Sequence, residues 1–267
     1  MELSGKIVAQ KIQAELKKEI QNLKEQGTIP SLAVILVGEN PVSLTYVRAK
    51  EAVAEKLGVD FRLFHFATNA RENQVLDLVN ELNNNNRFNG IVVQLPVPAK
   101  IDAEEIIQAV DPKKDIDGLQ GQITPPAAGA IIELMKYYHL SWEGDIVLIG
   151  HGRLVGEPLE KILVKQGLKP RIFDAQSPEI KHETLKAKIL VAATGVPGLI
   201  KPEMVSSDAI VLDAGTAESE GEVKGDVEPA VYFKVKAYSP VPGGIGPVTV
   251  AMLMKNLVEA AKKPILK

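Results

Sequence analysis

The sequence predicts an α/β protein of two domains, each built on a parallel sheet that helices cover. Short apolar runs, typical of buried strands, alternate along the chain with helical patterns. The runs fall into two sets, and a loop rich in Asp, Gly, Gln and Pro at residues 111–126 separates them. Hydrophobic residues make up 45% and charged residues 24% of the 267 residues, as in an ordinary globular protein.

The first set of elements predicts an N-terminal domain. Apolar runs at residues 32–37 and 90–95 show no polar alternation, which indicates strands buried on both faces. Helical patterns cover residues 5–26, 43–57 and 71–84, and the asparagines at 83–86 indicate a fraying helix end. We place this domain at residues 1–120.

The second set predicts a nucleotide-binding type of domain at residues 121–247. Its strands are expected at residues 146–149, 171–173, 189–192 and 209–212, and its helices at residues 126–139 and 155–166. A last helical pattern, about 248–263, follows this set.

Composition and charge exclude several classes of function. The net charge is −3 and the basic residues are scattered, so we expect neither nucleic acid nor a membrane surface as a partner. No apolar run approaches membrane-spanning length, and the polar start indicates no secretory leader. The chain lacks cysteine, which excludes disulfides and thiol catalysis and is compatible with a cytoplasmic location. Four widely spaced histidines give no metal-ligand pattern, so no metal is expected.

The segment 240–247, PVPGGIGP, is the most informative part of the chain. Its three prolines and three glycines are not expected to form helix or central strand, yet a helical pattern starts at Val250. Such a loop lets a ligand touch backbone N–H groups at short range. A structural turn is the alternative, although a turn needs only one or two such residues.

This segment resembles the signature of the methylenetetrahydrofolate dehydrogenase/cyclohydrolase family, which usually reads TPVPGGVGPMT. Ser239, Ile245 and Val248 are mild departures, and the resemblance runs from Ser4 to the final helix. It implies a homodimer, a cleft between the domains lined by Pro242, Gly243 and Gly244, and a C-terminal segment, 248–267, that returns to the first domain. It also implies two activities: oxidation of 5,10-methylenetetrahydrofolate with a nicotinamide dinucleotide, and hydrolysis of the methenyl product to 10-formyltetrahydrofolate.

A lysine lies within an apolar helical stripe in the first domain. Tyr46, Val53 and Leu57 share one face, and Lys50 is in line with them. A buried ammonium is costly unless it reaches a cleft or a partner, although a lysine can also extend to water. The sequence SLTYVRAK resembles the family pattern S-x-x-Y-V-x-x-K, which implies that Tyr46 stacks on the folate and that Lys50 is catalytic.

Two polar residues follow this pattern. Gln94 ends a buried strand, where ligands of parallel sheets bind, although it could equally cap the strand. VQLPVP resembles the family's VQLPLP, which implies that Gln94 hydrogen-bonds the lysine and tunes it. Asp117 lies in an acidic turn, and most such turns are solvated. KDIDG resembles KDVDG, which implies that Asp117 binds the pterin ring through bidentate hydrogen bonds.

The loop at residues 118–125 departs from the family pattern. It is shorter than usual, and the family's cysteine is absent. This departure leaves open a monofunctional dehydrogenase. A non-catalytic folate- or nucleotide-binding protein is a further alternative, against which the joint presence of Tyr46, Lys50, Gln94 and Asp117 argues.

The sequence GHGRLVG, residues 150–156, predicts a dinucleotide site. It follows a predicted strand and opens a helix, and its glycines allow the pyrophosphate to approach the backbone. VGEP at 155–158 and GDV at 225–227 also resemble family patterns. Two more glycine turns follow strands and are expected beside the ribose and nicotinamide. The predicted cofactor-binding residues of these three turns are Gly150, His151, Gly152, Arg153, Val155, Gly156, Thr194, Gly195 and Gly215.

The choice between NAD and NADP depends on residues that differ from the family. Relatives that use NADP carry Arg-Ser where this chain has His151 and Gly152. Asp174 ends a strand 24 residues after Gly150, where an acidic residue accepts hydrogen bonds from the ribose 2′-OH and repels a 2′-phosphate. Alternatively, Asp174 caps a turn, while Arg153, His151 and Ser177 form a phosphate site. We expect NAD, or dual use of NAD and NADP.

Overall fold

Each strand and helix predicted above has a counterpart in the computed structural model, which describes residues 1–219 and 222–262. The chain divides into two compact units. Of the described residues, 11–125 and 250–262 form the three-stranded unit, and 1–10, 126–219 and 222–249 form the five-stranded unit. The first ten residues therefore pack in the second unit. The three-stranded and five-stranded sheets are both parallel and each unit contains helices, so the predicted α/β class is confirmed.

The three-stranded unit is a parallel sheet with the strand order β2-β1-β3. Strands β1 and β3 are fully buried, because each is a continuous apolar run, whereas edge strand β2 is half-exposed. The polar residues of β2 explain why the apolar pattern did not predict it. The elements are α1 (Gly5–Glu25), β1 (Ser31–Val37), α2 (Pro41–Leu57), β2 (Asp60–Phe66), α3 (Glu72–Asn84), β3 (Gly90–Val93) and α4 (Ala103–Ala109).

Local sequence signals set the limits of α2. The side chain of Asn40 accepts a hydrogen bond from Ser43 N, and Pro41 occupies the first helical position. Gly58 ends the helix with φ of 73°, a left-handed conformation that glycine adopts without strain. These signals fix where α2 begins and ends.

The five-stranded unit has the parallel strand order β10-β7-β6-β4-β5. Strand β4 comes first in the chain, with β5 on one side and β6 on the other, so the order reverses at β4. Ligands of such sheets bind at the carboxyl ends of strands beside this reversal. Its elements are α5 (Pro126–Tyr137), β4 (Ile146–Ile149), α6 (Gly156–Lys165), β5 (Arg171–Phe173), α7 (Ile180–Lys186), β6 (Ile189–Ala192), β7 (Ile210–Asp213), β8 (Ala217–Ser219), β9 (Glu222–Lys224) and β10 (Ala237–Tyr238). The last helix, α8 (Ile245–Ala261), begins in this unit and belongs to the three-stranded unit from Val250.

Helix α8 begins earlier than predicted. It starts at Ile245, so Gly246 and Pro247 lie in its first turn, within the segment expected to be non-helical. Proline is tolerated there because the N–H groups of a first turn have no intrahelical acceptor. Further along α8, Asn256 Nδ2 donates hydrogen bonds to the carbonyl oxygens of Ile116 and Thr124. The predicted return of the C-terminal helix to the first domain is confirmed.

Candidate active site

The buried face of α2 carries Lys50 at its centre. The side chain is only 7% exposed, so it does not extend to water. Tyr46 and Val53, which the sequence placed on the apolar stripe, are half-buried at its margin. Tyr46 precedes Lys50 by one helical turn. The buried positions of α2 are Ser43, Val47, Lys50, Ala54 and Leu57.

Gln94 is the hydrogen-bond partner of Lys50. Lys50 Nζ donates to Gln94 Oε1 over 2.9 Å, and Gln94 Nε2 donates to the carbonyl oxygen of Leu95, also over 2.9 Å. The second bond orients the amide so that its oxygen faces the lysine. The backbone N–H of Gln94 donates to the carbonyl of Ile35, which anchors the residue at the end of β3 beside β1. The expected hydrogen bond between Gln94 and the lysine therefore occurs, whereas the carbonyl that Gln94 contacts belongs to Leu95, which lies beyond the end of β3.

Asp117 interacts electrostatically with Lys50. Burial lowers the pKa of Lys50, and the charge of Asp117 opposes this shift in part. Burial likewise raises the pKa of Asp117; the charge of Lys50 lowers it in part, and Asp115 adds to the increase. Burial thus shifts the pKa of each group in the direction that favours its neutral form.

The shortened loop that follows Asp117 is held by specific hydrogen bonds. Gln120 N donates to Asp115 Oδ2 over 2.9 Å, and Gln120 Nε2 donates to the carbonyls of Ile107 and Val110 over 3.0 and 2.7 Å. Gly118 has φ of 69°, and a methyl group on it would lie 2.7 Å from the carbonyl oxygen of Ile123. The loop therefore has a defined path that fixes the backbone beside Asp117.

A second buried lysine, which we did not single out from the sequence, supports this loop. Lys114 Nζ donates to the carbonyl oxygens of Leu82, Asn83 and Asn85 over 2.8 to 2.9 Å. An ammonium at the end of a helix satisfies carbonyls that lack intrahelical donors. The lysine that precedes Asp115 and Asp117 therefore ties their loop to the end of α3.

The glycines of segment 240–247 have a packing role. Gly5 N donates to the carbonyl of Gly243 over 2.9 Å, and a methyl group on Gly5 would overlap the carbonyl oxygen of Gly244. Gly243 has φ of 112°. Gly243 and Gly244 are buried, whereas Pro242 is exposed. The close approach of the two segments explains the glycine at position 5. Gly243 is explained by its left-handed φ, and Gly244 by the carbonyl oxygen of Pro240, which a methyl group would meet at 2.6 Å. Substrate binding by Pro242, Gly243 and Gly244 stays a prediction.

The predicted dinucleotide turn lies at the carboxyl end of β4. Gly150 has φ of 96°, and a methyl group there would overlap the carbonyl oxygen of Ala193, which follows β6. A methyl group on Gly156 would overlap the carbonyl oxygen of Gly150. Gly152 is exposed, and a methyl group on it would extend into open space before α6. This cradle fits a pyrophosphate at the N-terminus of α6.

Three of the residues expected to distinguish NAD from NADP, His151, Asp174 and Ser177, have side-chain hydrogen-bond partners within the same unit. Nε2 of the His151 ring lies 2.7 Å from Oε2 of Glu160. Asp174 Oδ1 accepts hydrogen bonds from Gln176 N and from Ser177 Oγ over 2.8 and 3.1 Å, and Ser177 Oγ accepts one from Asp174 N. Asp174 therefore closes a turn with Ser177 while its side chain remains exposed at the end of β5.

Two buried aspartates hold the remaining glycine turns. Asp226 accepts hydrogen bonds from Thr194 and Gly195, and Asp213 accepts one from Gly215. We did not predict either aspartate as a site residue. The GDV motif at 225–227 could have identified Asp226 as a site residue. For Asp213 the only sequence signal is its position at the end of an apolar strand.

Among the described residues, no three His, Cys, Asp or Glu side chains converge as metal ligands. No helix in the same ranges has the length and apolar character that a membrane span requires.

One unit has a parallel sheet and a buried lysine. The other has a parallel sheet with a glycine turn at the point where its strand order reverses. Together these features are typical of two-domain α/β enzymes that bind a dinucleotide. Residues 3–117 match the catalytic domain of the tetrahydrofolate dehydrogenase/cyclohydrolase family, and residues 125–265 match its NAD(P)-binding domain. The chain belongs to this family.

Individual relatives cover nearly the whole chain. The bifunctional protein FolD of Halothermothrix orenii is 38% identical over 97% of both chains. The crystal structure of FolD from Campylobacter jejuni is 35% identical, with a TM-score of 0.92 over 98% of both chains. The Trypanosoma brucei enzyme, solved with NADP and an inhibitor, is 31% identical, with a TM-score of 0.93 over 99% of this chain and 98% of that one.

Proposed function

We propose that the protein oxidises 5,10-methylenetetrahydrofolate to 5,10-methenyltetrahydrofolate with a nicotinamide dinucleotide, and then hydrolyses this product to 10-formyltetrahydrofolate. The observation that carries the proposal is the partly buried hydrogen bond from Lys50 to Gln94, with the charge of Asp117 acting on the lysine. Family membership supplies the substrate class, and the residues supply the acid–base chemistry.

In the hydrolytic step, Lys50 moves the proton. Its lowered pKa provides a neutral amine, which accepts a proton as water adds to the methenyl carbon. The resulting ammonium returns that proton to the departing ring nitrogen and the C–N bond breaks. The hydroxyl of the hydrated carbon releases its proton to water as its C=O forms, and the formyl group remains on the other nitrogen. Gln94 accepts a hydrogen bond from Nζ in both protonation states, which keeps the amine oriented.

In the dehydrogenase step, the bound dinucleotide supplies the hydride acceptor. The turn from Gly150 to Gly156 would hold its pyrophosphate, with Val155 at the start of α6. The turns at Thr194 and Gly215 would contact the ribose and the nicotinamide. On the folate, the Asp117 carboxylate would accept hydrogen bonds from the pterin N–H and amino groups, and Tyr46 would stack on the ring.

We further propose that the cofactor is NAD, or NAD and NADP alike. Asp174 is exposed at the end of β5, where its charge opposes a 2′-phosphate. Glu160 lies against His151 and offsets its positive charge when the ring is protonated. Arg153 and His151 also help Lys161 to hold the pKa of Glu157 below its ordinary value, so the basic groups of this turn have acidic neighbours.

We also propose a cytoplasmic homodimer, on the basis of the family resemblance and the absence of cysteine. Mass photometry of the purified protein at nanomolar concentration tests the assembly. A single species at twice the chain mass of 28.9 kDa supports the dimer, and a monomer contradicts it.

One spectrophotometric experiment tests the reaction. The purified protein is mixed with methylenetetrahydrofolate and either dinucleotide, and the methenyl absorbance is followed as it forms and decays. Formation followed by enzyme-dependent decay supports both activities. Formation without decay identifies a monofunctional dehydrogenase, and folate binding without turnover identifies a non-catalytic relative.

Folate titration tests the role of Asp117 separately. Asp117→Ala is expected to weaken folate binding by tenfold or more without a comparable effect on dinucleotide binding, because two ligand donors lose their acceptor. The matched control is Asp77→Ala, an exposed residue of the same unit. Unchanged folate affinity in the Asp117 variant would place the pterin elsewhere.

A further inference from the structure

Two buried aspartates lie directly beneath the glycine turns of the five-stranded unit. Asp213 ends β7 and is 1% exposed, and Asp226 follows β9 and is completely buried. The reaction proposed above uses neither carboxyl group. Because burying a carboxylate is costly, each one needs an explanation from its contacts.

One oxygen of Asp226 organises the turn after β6. Oδ2 accepts hydrogen bonds from Thr194 N over 2.5 Å, from Thr194 Oγ1 over 2.8 Å and from Gly195 N over 3.3 Å. Thr194 Oγ1 in turn accepts one from Val196 N over 3.1 Å. The backbone from Thr194 to Val196 is therefore set by a single acceptor that lies 32 positions away in the chain.

Asp213 organises the second turn and also holds Asp226. Its Oδ1 accepts from Gly215 N and Asp226 N over 3.0 and 3.1 Å, and its Oδ2 accepts from Val227 N over 3.0 Å. The backbone N–H of Asp213 donates to Ser239 Oγ over 2.7 Å. The end of β7 and the segment that carries Asp226 are thereby locked together.

Two glycines make room for the two carboxyl groups. A methyl group on Gly215 would overlap Oδ1 of Asp226, and a methyl group on Gly225 would overlap Oδ2 of Asp213. Gly215 was predicted as a cofactor residue, and its place beside Asp226 provides a packing reason for the glycine. Within the described ranges, Oδ1 of Asp226 has no hydrogen-bond partner, so only Oδ2 contributes to the turn.

The position of the Thr194 turn links it to the cofactor cradle. Ala193, immediately before Thr194, has its carbonyl against Gly150 of the pyrophosphate turn. Strands β4 and β6 are neighbours at the order reversal, which is where dinucleotides cross such sheets. A shift of the Thr194 backbone would therefore alter the surface that meets the ribose and nicotinamide.

We propose that Asp226 is a positioning residue for dinucleotide binding, which fixes the Thr194–Val196 turn through Oδ2 and is itself held in place by Asp213. This inference depends on the dinucleotide binding proposed above. It assigns Asp226 no contact with the reacting atoms. Burial raises the pKa of both aspartates, as expected where two carboxyl groups share one interior site.

Steady-state kinetics on the full chain test the proposal. Asp226→Ala is expected to raise the dinucleotide KM at least tenfold, while folate KM and cyclohydrolase activity stay within about twofold of wild type. Asp226→Asn keeps an acceptor oxygen for Thr194 and Gly195, so its dinucleotide KM is expected within about threefold of wild type. Asp208→Asn, a surface residue paired with Lys188, is the matched control and is expected to change neither activity.

Three results would overturn the proposal: an unchanged dinucleotide KM in Asp226→Ala, an Asn variant as impaired as the Ala variant, or an equal loss of cyclohydrolase activity.

If Asp226→Ala does not fold, Thr194→Val replaces it as the test, because this variant deletes only the hydrogen bonds of the hydroxyl. It is then expected to raise the dinucleotide KM severalfold, and an unchanged KM contradicts the proposal. If the wild-type protein binds no dinucleotide, the proposed function fails instead.

Discussion

Nζ of Lys50 and Oε1 of Gln94 lie 2.9 Å apart, although 44 positions separate the two residues in the chain. The bond joins the third turn of α2 to the residue just after β3. It provides a buried amine with a fixed orientation and with an amide partner that cannot take its proton. An amine of this kind suits proton transfer better than structural support, and the following predictions test that role first.

Replacement of Lys50 by methionine is expected to lower cyclohydrolase activity about a hundredfold or more, because the variant has no group to transfer the proton. The protein should remain folded with equal or higher stability, since an apolar side chain replaces a buried ammonium. Decay of the methenyl absorbance and thermal unfolding are the two measurements. Lys56→Met on the same helix, which removes a bond to Gln13, is the control. Wild-type hydrolysis in Lys50→Met would remove Lys50 from the mechanism.

The cyclohydrolase rate is expected to rise with pH and to level off below the ordinary lysine pKa of about 10.4. Burial lowers the pKa of Lys50, so the neutral amine forms at lower pH than in water. The charge of Asp117 partly opposes this shift, so Asp117→Asn should move the rising limb of the pH profile to still lower pH. The rates are measured at saturating substrate and corrected for uncatalysed hydrolysis. A shift to higher pH in the variant would contradict the assigned coupling.

Alanine substitutions at two glycines of the shortened loop should have different effects. Gly118 and Gly121 have φ of 69° and 80°, so each alanine should cost about 1 kcal/mol of backbone strain. Only at Gly118 does the new methyl group also meet a backbone carbonyl, that of Ile123. Gly118→Ala should therefore lose about 2 kcal/mol or more of unfolding free energy and part of the cyclohydrolase activity. Chemical denaturation and the hydrolysis assay compare the two. Equal losses would show that the path of the loop has no effect beyond the strained φ.

The charge of Asp174 is expected to determine cofactor preference. Asp174→Asn keeps the acceptor for Gln176 N and Ser177 Oγ, so the turn is retained while the charge is lost. Without like-charge repulsion, kcat/KM with NADP should rise about tenfold relative to NAD. Glu179→Gln removes a nearby exposed charge as a control. A wild-type enzyme already far better with NADP would contradict the proposed preference.

Asp213 is expected to make stability depend on pH. Burial raises its pKa to about 7, whereas in the unfolded chain it is about 3.9. Between these values the folded state binds more protons than the unfolded state, so the unfolding free energy falls as pH rises from about 4 to about 7. The slope is at most about 1.4 kcal/mol per pH unit for one group. Asp213→Asn should flatten this part of the curve, whereas Asp208→Asn should not. Identical slopes in wild type and Asp213→Asn would rule out the linkage.

Much of the fold could be predicted because burial imposes local patterns. Strands β1, β3, β4, β6 and β7 are buried on both faces, and each is a short apolar run in the sequence. Edge strand β2, with Arg62 and His65 among its residues, has no such run and was not predicted. The short helices α4 and α7 were also missed, since seven residues carry too little periodicity.

Some features of the candidate site could also be predicted from the sequence, whereas others could not. The apolar stripe and the strand end left the roles of Lys50 and Gln94 open, and the family resemblance of the surrounding motifs assigned them. Gly150 was marked by its strand–turn–helix context. Only the tertiary structure decided that Gln94 also donates to the carbonyl of Leu95, that the glycines of segment 240–247 pack at the start of α1, and that Asp226 holds Thr194. Periodicity records which side of an element is buried, and it depends on near neighbours in the chain. Contacts between distant residues depend on strand order, register and the path of each loop, which form only when the chain packs.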